Sequence, residues 1–226
     1  VTPGSNPANT CVECRNETGY CFSDDEVYPN SVRFLWGFRD LAKGADEVPS
    51  EPDKVDRSIE LAHYLEAPTV VLHPPFFWQT RYARSFIAGV AQREATTGIH
   101  LAVENMFTWR PRHAHSTRDF QAYSPTWDPV GQGYKSVTLD ISHAATSGSD
   151  ALAMARALGP TLRHLHLTDG VPGPLDDHLL PGQGNQDCAG VLKHLVATGF
   201  ETGGGQVVVE VTTRSMTTAQ RLEGLA

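Results

Sequence analysis

The chain has 226 residues, with 18 Lys and Arg against 26 Asp and Glu, and a formal net charge of −8. A hydrophobic fraction of 40% allows a substantial buried core and excludes a wholly disordered chain. No apolar run approaches the roughly 18 residues of a membrane helix, and the acidic balance disfavours a surface that grips nucleic-acid phosphates. We therefore expect a globular, cytoplasmic protein without membrane association, for which nucleic acid is a disfavoured partner.

The first quarter of the chain differs in composition from the rest. Residues 1–52 collect prolines and acidic residues, contain three of the four cysteines, and have one strand-like run, Ser31 to Trp36. A Cys-x-x-Cys pair with one further cysteine lacks the fourth ligand of a structural zinc site, so free thiols are the preferred interpretation. We predict an atypical segment of uncertain structure over residues 1–52 and a metal-binding α/β barrel portion over residues 53–226.

From residue 53 the chain alternates predicted helices with short apolar runs. Helical patterns cover residues 53–66, 82–97, 151–158 and 189–198, and the runs that predict strands are 68–73, 99–106, 136–143, 162–169 and 206–211. The run over residues 68–73 is short, continuously apolar and stopped by prolines, which is typical of a strand buried on both faces of a parallel sheet. The alternation of the five runs with helices indicates parallel βα units.

Each predicted strand carries a potential metal ligand at or near its carboxyl end: His73, Glu104, Asp140, His166 and Glu210. In a parallel barrel these ends converge on the face that holds the active site. An open doubly wound sheet also binds ligands there, but usually around a Gly-rich phosphate loop, which does not follow the first clear strand. Clustered carboxylates alone would repel one another, whereas imidazole with carboxylate suits Zn, Mn, Fe or Co. A barrel with a metal site is therefore the preferred interpretation.

Other residues of the same chemical type lie close by. His143 follows Asp140 by three residues, and both can reach one centre if the strand turns between them. Asp176 and His178 are two residues apart and can face one side of an extended loop. For any single residue a structural role is the simpler interpretation, and a histidine such as His164 more often forms a structural hydrogen bond. The joint pattern favours a metal site.

Together these motifs resemble the xylose isomerase-like TIM-barrel superfamily, and within it the sugar phosphate isomerase/epimerase group, which is related to endonuclease IV. The likeness covers residues 53–213 and rests on His73-Pro-Pro, Glu104-Asn-Met, Asp140-Ile-Ser-His143, His166-Leu-Thr-Asp169, Asp176-Asp-His178 and Glu210-Val. It implies an α/β fold of the (β/α)8 TIM-barrel type. Because residues 1–52 supply at most one strand, we expect this barrel to be incomplete or diverged at its N-terminal strands.

The resemblance also implies a centre for one to three divalent ions of Zn, Mn or Co. Its principal ligands would be those of the ketose 3-epimerase type: Glu104, Asp140, His166 and Glu210. Its additional ligands would be those that the endonuclease IV branch uses for further zinc ions: His73, Asp176 and His178. His143 matches a motif histidine that touches substrate or a further metal, so it is also a possible additional ligand.

Two activities and one inactive alternative remain open. The first is a metal-dependent isomerase or epimerase of a small-molecule sugar or sugar phosphate, with proton transfer through a metal-stabilised enediolate. Its catalytic residues would be Glu104, Glu210 and His143, and its substrate-binding residues His143, Arg110 and Asp169.

The alternative enzyme is a zinc-dependent phosphodiesterase of the endonuclease IV (AP endonuclease) type. The additional ligands favour it, whereas the scarcity of lysine around the motifs disfavours it, because nucleic-acid binding relies on many cationic phosphate contacts. Sugar chemistry is therefore preferred. The inactive alternative is a non-catalytic metal-binding relic, and its sole support is the missing early strands. Open barrel edges would also favour a homo-oligomer.

Overall fold

The computed structural model describes residues 31–33, 51–109, 120–212 and 217, and the strands within them form one parallel sheet. The elements are β1 (Ser31–Arg33), α1 (Glu51–Tyr64), β2 (Thr69–Leu72), α2 (Thr80–Thr97), β3 (His100–Glu104), β4 (Val137–Asp140), α3 (Ile141–Thr146), α4 (Ala151–Leu158), β5 (Leu162–Leu167), α5 (Cys188–Ala197) and β6 (Gln206–Val209). The strands lie in the order β1-β2-β3-β4-β5-β6. This sequential order is the winding of a barrel and differs from that of a doubly wound sheet.

The helices and strands predicted after residue 53 are confirmed, with small shifts at their ends. One boundary is wrong: the strand predicted over residues 136–143 ends at Asp140, and α3 begins at Ile141. The helix begins there because Asp140 Oδ1 accepts the backbone N–H of His143 at 2.9 Å, which satisfies one of the free N–H groups at a helix start. The buried apolar residues continue from strand into helix, so the hydrophobic pattern alone does not mark the change.

The helices pack against the sheet through a continuous apolar core. Val55 and Ile59 of α1 and Phe86 and Val90 of α2 belong to this core. Helix α2 ends at Gly98, whose positive φ of 73° lets its N–H bond back to the carbonyl of Glu94. Over the described ranges, none of the helices combines the length and apolar composition needed to cross a membrane.

The two faces of the sheet carry different kinds of side chain. Consecutive strand residues point to opposite faces, and one face holds the apolar residues that pack under the helices: Val70, Leu72, Leu101, Val103, Val137, Leu139 and Leu165. The other face holds their sequence neighbours, which become polar toward the carboxyl ends: Glu104, Thr138, Asp140, His164 and His166. The potential ligands are therefore buried on the face away from the helices.

The segment predicted over residues 1–52 supplies one edge of this sheet. Strand β1 lies within the strand-like run and pairs in parallel with β2, from Ser31↔Thr69 to Arg33↔Val71. Among the described strands, β1 pairs with β2 and β6 with β5, without a ladder between β6 and β1. The sheet thus fits an incomplete or diverged barrel. The cysteines of the segment lie outside the described residues, and the division at residue 52 stays a prediction.

Candidate metal centre

Four potential ligands meet at the carboxyl ends of β3 to β6. His166 Nδ1 lies 3.1 Å from Glu104 Oε1, 3.1 Å from Asp140 Oδ2 and 2.8 Å from Glu210 Oε2. The strand register explains part of this arrangement, because Asp140 and His166 are direct neighbours across β4 and β5. One ligand atom from each of the four residues lies within 4.8 Å of the others. We call these four residues the inner group.

The inner group places negative charge in a buried position. Burial opposes ionisation of Glu104, but the positive charges of His166 and His73 outweigh it and hold the pKa of Glu104 well below its usual value. Burial also opposes ionisation of Asp140, yet the His143 charge and the hydrogen bond with His166 lower the pKa of this carboxyl. Three carboxylates around one imidazole nitrogen leave an excess of negative charge. A divalent cation would offset it, and the donor set suits Zn, Mn or Co.

A second set of potential ligands lies beside the first. Asp176 Oδ2 lies 3.0 Å from Nε2 of His143 and 2.7 Å from Nε2 of His178. Asp140, His143 and His178 also offer ligand atoms within 4.8 Å of one another, so Asp140 can serve both sets. We call His143, Asp176 and His178 the outer group.

Backbone carbonyl groups fix the orientation of both outer histidines. His143 Nδ1 lies 2.8 Å from the carbonyl oxygen of Asn105, and His178 Nδ1 lies 3.1 Å from that of Glu210. A carbonyl can only accept, so each Nδ1 donates, and each neutral ring presents its Nε2 lone pair toward Asp176. Metal-bound histidines are held by such a bond at their other nitrogen. The outer group therefore also fits a metal ion.

In the metal-free chain, protonation of His143 and His178 offsets the negative charge of the Asp176 carboxylate. Burial opposes protonation of His143, but Asp140 and Asp176 outweigh it and raise the pKa of His143 to about 10. Burial likewise opposes protonation of His178, whose pKa is raised by its hydrogen bond to Asp176. The pKa of Asp176 lies far below its usual range because the histidine charges overcome the effect of burial.

The metal-free protein is expected to lose stability as the pH rises from about 6.5 toward 10. The folded chain holds the His143 proton more tightly than the unfolded chain, so this stabilisation is complete below the unfolded pKa and is lost as the pH passes the folded one, about 10. The lowered pKa values of Asp140 and Asp176 act oppositely, and their stabilisation is lost only in acid, below about pH 4. Urea unfolding midpoints with a chelator present, compared at about pH 6 and about pH 9, measure the fall.

A matched pair of variants separates this effect from general titration. His143→Gln should flatten the decline of the unfolding midpoint between neutral and alkaline pH, because it removes the group whose pKa is raised. His63→Gln, exposed on α1, should leave the decline as in the wild type. A wild-type midpoint that increased over this range would contradict the expectation.

His73 extends the inner group toward β2. Its Nε2 lies 3.0 Å from Glu104 Oε2, and the described residues offer neither atom a hydrogen bond of acceptable geometry. A carboxylate oxygen and an imidazole nitrogen that face each other in this way can share a cation. The structure thus brings His73, the inner group and the outer group into one continuous cluster.

Two buried polar residues that the sequence patterns did not single out hold these ligands. The Asn105 side chain donates to the carbonyl of Asp140 at 3.0 Å and accepts its N–H at 2.6 Å, which fastens the end of β3 to the end of β4. The Ser142 hydroxyl contacts both Asp176 and His178. Their one sequence signal is position, since Asn105 follows a ligand and Ser142 precedes one.

Besides His143, two residues are predicted to bind substrate, Asp169 and Arg110, and the structure describes only the first of them. Asp169 is fully buried, and its carboxylate accepts four backbone N–H groups, at 2.8–3.1 Å, from Gly170, Gly182, Gly184 and Gln186. Its described contacts are thus those of a loop anchor, and substrate binding stays a prediction. Arg110 lies outside the described residues. His164, expected to support His166, lies on the same face with its ring 5.0 Å away.

Residues 34–225 match the protein family described as xylose isomerase-like TIM barrel. The chain belongs to this family. Membership in the xylose isomerase-like family and the sequential parallel sheet confirm the predicted TIM-barrel class, incomplete or diverged in its strands.

Proteins of Mycobacterium and Methanocaldococcus species are similar to this chain. An uncharacterized protein of Mycobacterium tuberculosis is 43% identical over 187 residues, which cover 76% of this chain and 66% of the relative. One from Mycobacterium leprae is 42% identical over 195 residues, covering 80% and 67%, and one from Methanocaldococcus jannaschii is 27% identical over 155 residues, covering 64% and 52%. The chain thus spans just under two thirds of the length of its Mycobacterium tuberculosis relative. A solved structure of L-ribulose 3-epimerase superposes with a TM-score of 0.48 at 16% identity, covering 77% of this chain and 58% of that one, a likeness too distant to bear on activity.

Proposed function

We propose that this chain acts as a divalent-metal-dependent isomerase or epimerase of a sugar or sugar phosphate. The observation that carries the proposal is the inner group, in which Glu104 and Glu210 both reach the same imidazole nitrogen of His166. Glu104 ends β3 and Glu210 directly follows β6, with strands β4 and β5 between them, so two separate carboxylates reach one centre. Epimerisation needs this, because a proton leaves one face of a carbon and returns to the other.

A divalent ion bound by the inner group would polarise a substrate carbonyl as a Lewis acid. The Glu104 carboxylate, held ionised by its histidine neighbours, accepts a proton from the carbon beside that carbonyl or returns one. Glu210 performs the complementary transfer, and its 14% side-chain exposure leaves it open to a substrate. His143, at the junction of the two groups, can donate a hydrogen bond to a substrate oxygen from Nε2 when its ring is protonated, which its raised pKa favours.

Proton transfer at carbon is measured by deuterium uptake from heavy water. We expect Mn²⁺-loaded protein to exchange the proton beside the carbonyl of at least one member of a panel of ketopentoses, ketohexoses and their phosphates, followed by NMR. Glu210→Gln should slow the exchange by about 10²- to 10⁴-fold, the usual contribution of a general base. Glu201→Gln, the same change at an exposed position, should have no effect. A metal-loaded protein that exchanges none of these sugars would contradict the proposal.

The outer group supports one second candidate, a zinc-dependent phosphodiesterase of the endonuclease IV type. One ion suffices to polarise a carbonyl, whereas His143 and His178 of the outer group offer a second place together with Asp140. Paired ions stabilise the attacking and leaving oxygens in phosphodiester cleavage. The net charge of −8 weighs against a nucleic-acid substrate. Cleavage of a duplex containing one abasic site by Zn²⁺-loaded protein, without sugar exchange, would establish this candidate instead. Bound metal with neither reaction would indicate the non-catalytic relic.

A further inference from the structure

Ser142 is a fully buried residue between Asp140 and His143 at the start of α3. Its hydroxyl donates to Asp176 Oδ1 at 2.6 Å and accepts the backbone N–H of His178 at 3.1 Å. One side chain therefore connects the helix that carries one outer ligand with the loop that carries the other two. These partners lie 34 and 36 residues away in sequence.

The loop ligands need such a connection because regular secondary structure does not hold them. Asp176 and His178 lie in the connection between β5 and α5, outside the described helices and strands. His178 has a positive φ of 45°, a conformation that non-glycine residues rarely adopt and that surrounding contacts must maintain. Its amide bond to Ser142 and its Nδ1 bond to the carbonyl of Glu210 are two of those contacts.

The hydrogen bond from Ser142 also gives the two oxygens of the Asp176 carboxylate different partners. Oδ1 accepts from the serine, which leaves Oδ2 facing Nε2 of His143 and Nε2 of His178. Without the hydroxyl, Asp176 can rotate, and the His178 N–H loses its acceptor in a largely buried place, which costs free energy. The four inner ligands depend less on this bond, because they lie at the ends of adjacent sheet strands.

We propose that Ser142 is the positioning residue of the outer group, so that metal affinity there depends on its hydroxyl while affinity at the inner group does not. This inference rests on the metal centre of the proposed function. It deepens that function by separating the two candidate metal positions through one side chain, which contacts the outer residues Asp176 and His178.

The test uses the full chain with Co²⁺ as the probe, by isothermal titration calorimetry and elemental analysis of bound metal. Ser142→Ala should weaken the second, outer ion by about 10- to 100-fold, the usual effect of losing a partner that orients a ligand, and should leave the inner ion at wild-type affinity. Ser142→Thr, which keeps a hydroxyl, should restore outer binding at least in part. Ser147→Ala, at the other end of α3, should leave both ions unchanged.

A double-mutant cycle distinguishes positioning from a general loss of structure. If Ser142 acts through Asp176, then Ser142→Ala adds little to the loss of outer-ion affinity already caused by Asp176→Asn. The inference is overturned if Ser142→Ala binds both ions normally, loses both, or fails to fold. A wild-type chain that binds the inner ion alone also overturns it but leaves the proposed function standing, whereas a wild-type chain that binds neither ion removes both.

Discussion

Asp140→Asn is expected to weaken metal binding at the inner and outer groups together, by at least about 100-fold. Losing a residue that only orients a ligand costs up to about 100-fold in metal affinity, and losing a ligand should cost at least as much. Asp140 offers an oxygen to both groups, and its Oδ2 lies 3.1 Å from His166 Nδ1. An amide in its place supplies a neutral oxygen and nitrogen, which are poorer ligands than a carboxylate. The change should therefore have the largest effect of any single substitution on metal content.

The same substitution leaves the local fold intact, which makes its result interpretable. Asp140 caps α3 by accepting the N–H of His143, and asparagine is an equally good N-cap. Asp150→Asn is the matched control, because Asp150 caps α4 in the same way, through Ala153, away from the centre. Titration calorimetry with Mn²⁺ and Co²⁺ gives the affinities. If Asp140→Asn retained either ion at wild-type affinity, the shared role of this carboxylate would be refuted.

Asp169→Ala is expected to lower the free energy of unfolding by at least about 3 kcal/mol, because hydrogen bonds to a buried charged group contribute about 1.5–3 kcal/mol each and are not fully additive. The carboxylate accepts four backbone N–H groups of the connection between β5 and α5. Alanine leaves these donors without their acceptor. Urea unfolding monitored by circular dichroism, with a chelator present, measures the loss.

The control for this prediction is a capping aspartate in the same connection. Asp187 accepts the N–H of Gly190 at the exposed start of α5, so Asp187→Ala should cost about 1 kcal/mol, the usual value for an N-cap. If Asp169→Ala cost no more than Asp187→Ala, the loop-anchoring role would be wrong. A folded Asp169→Ala protein with normal stability but a weakened affinity for its sugar would instead favour the substrate-binding role predicted from sequence.

The fold after residue 53 could be predicted because its strands are short, and most of them are rich in apolar residues and bounded by clear breaks. The run ending at Leu72 is followed by His73-Pro-Pro, and the helix before β5 stops at Gly159-Pro160. The end of β4 could not be predicted in this way, since Ile141 and the alanines of α3 are as buried as the strand before them. The strand ends there because Asp140 caps the helix with a hydrogen bond, and a capping bond does not alter the hydrophobic pattern of the sequence.

The common edge at which the candidate ligands lie could also be predicted, because the carboxyl ends of parallel strands are neighbours. The division into an inner and an outer group could not, since it depends on which ring nitrogen of each histidine faces inward. His166 uses Nδ1, whereas His143 and His178 present Nε2. The supporting contacts of Asn105 and Ser142 could not be predicted from the sequence either, because they join residues about 35 positions apart.

The alternation of the strand faces has a consequence for how this protein can change over evolutionary time. Leu139 and Asp140 are adjacent in sequence, yet the first packs under the helices and the second belongs to the cluster of potential metal ligands. Substitutions under the helices can adjust the strength of the fold, while substitutions one position away can alter the chemistry at the carboxyl edge. Stability and the chemistry of the candidate metal centre can therefore be selected on interleaved positions of the same short strands, with little interference between them.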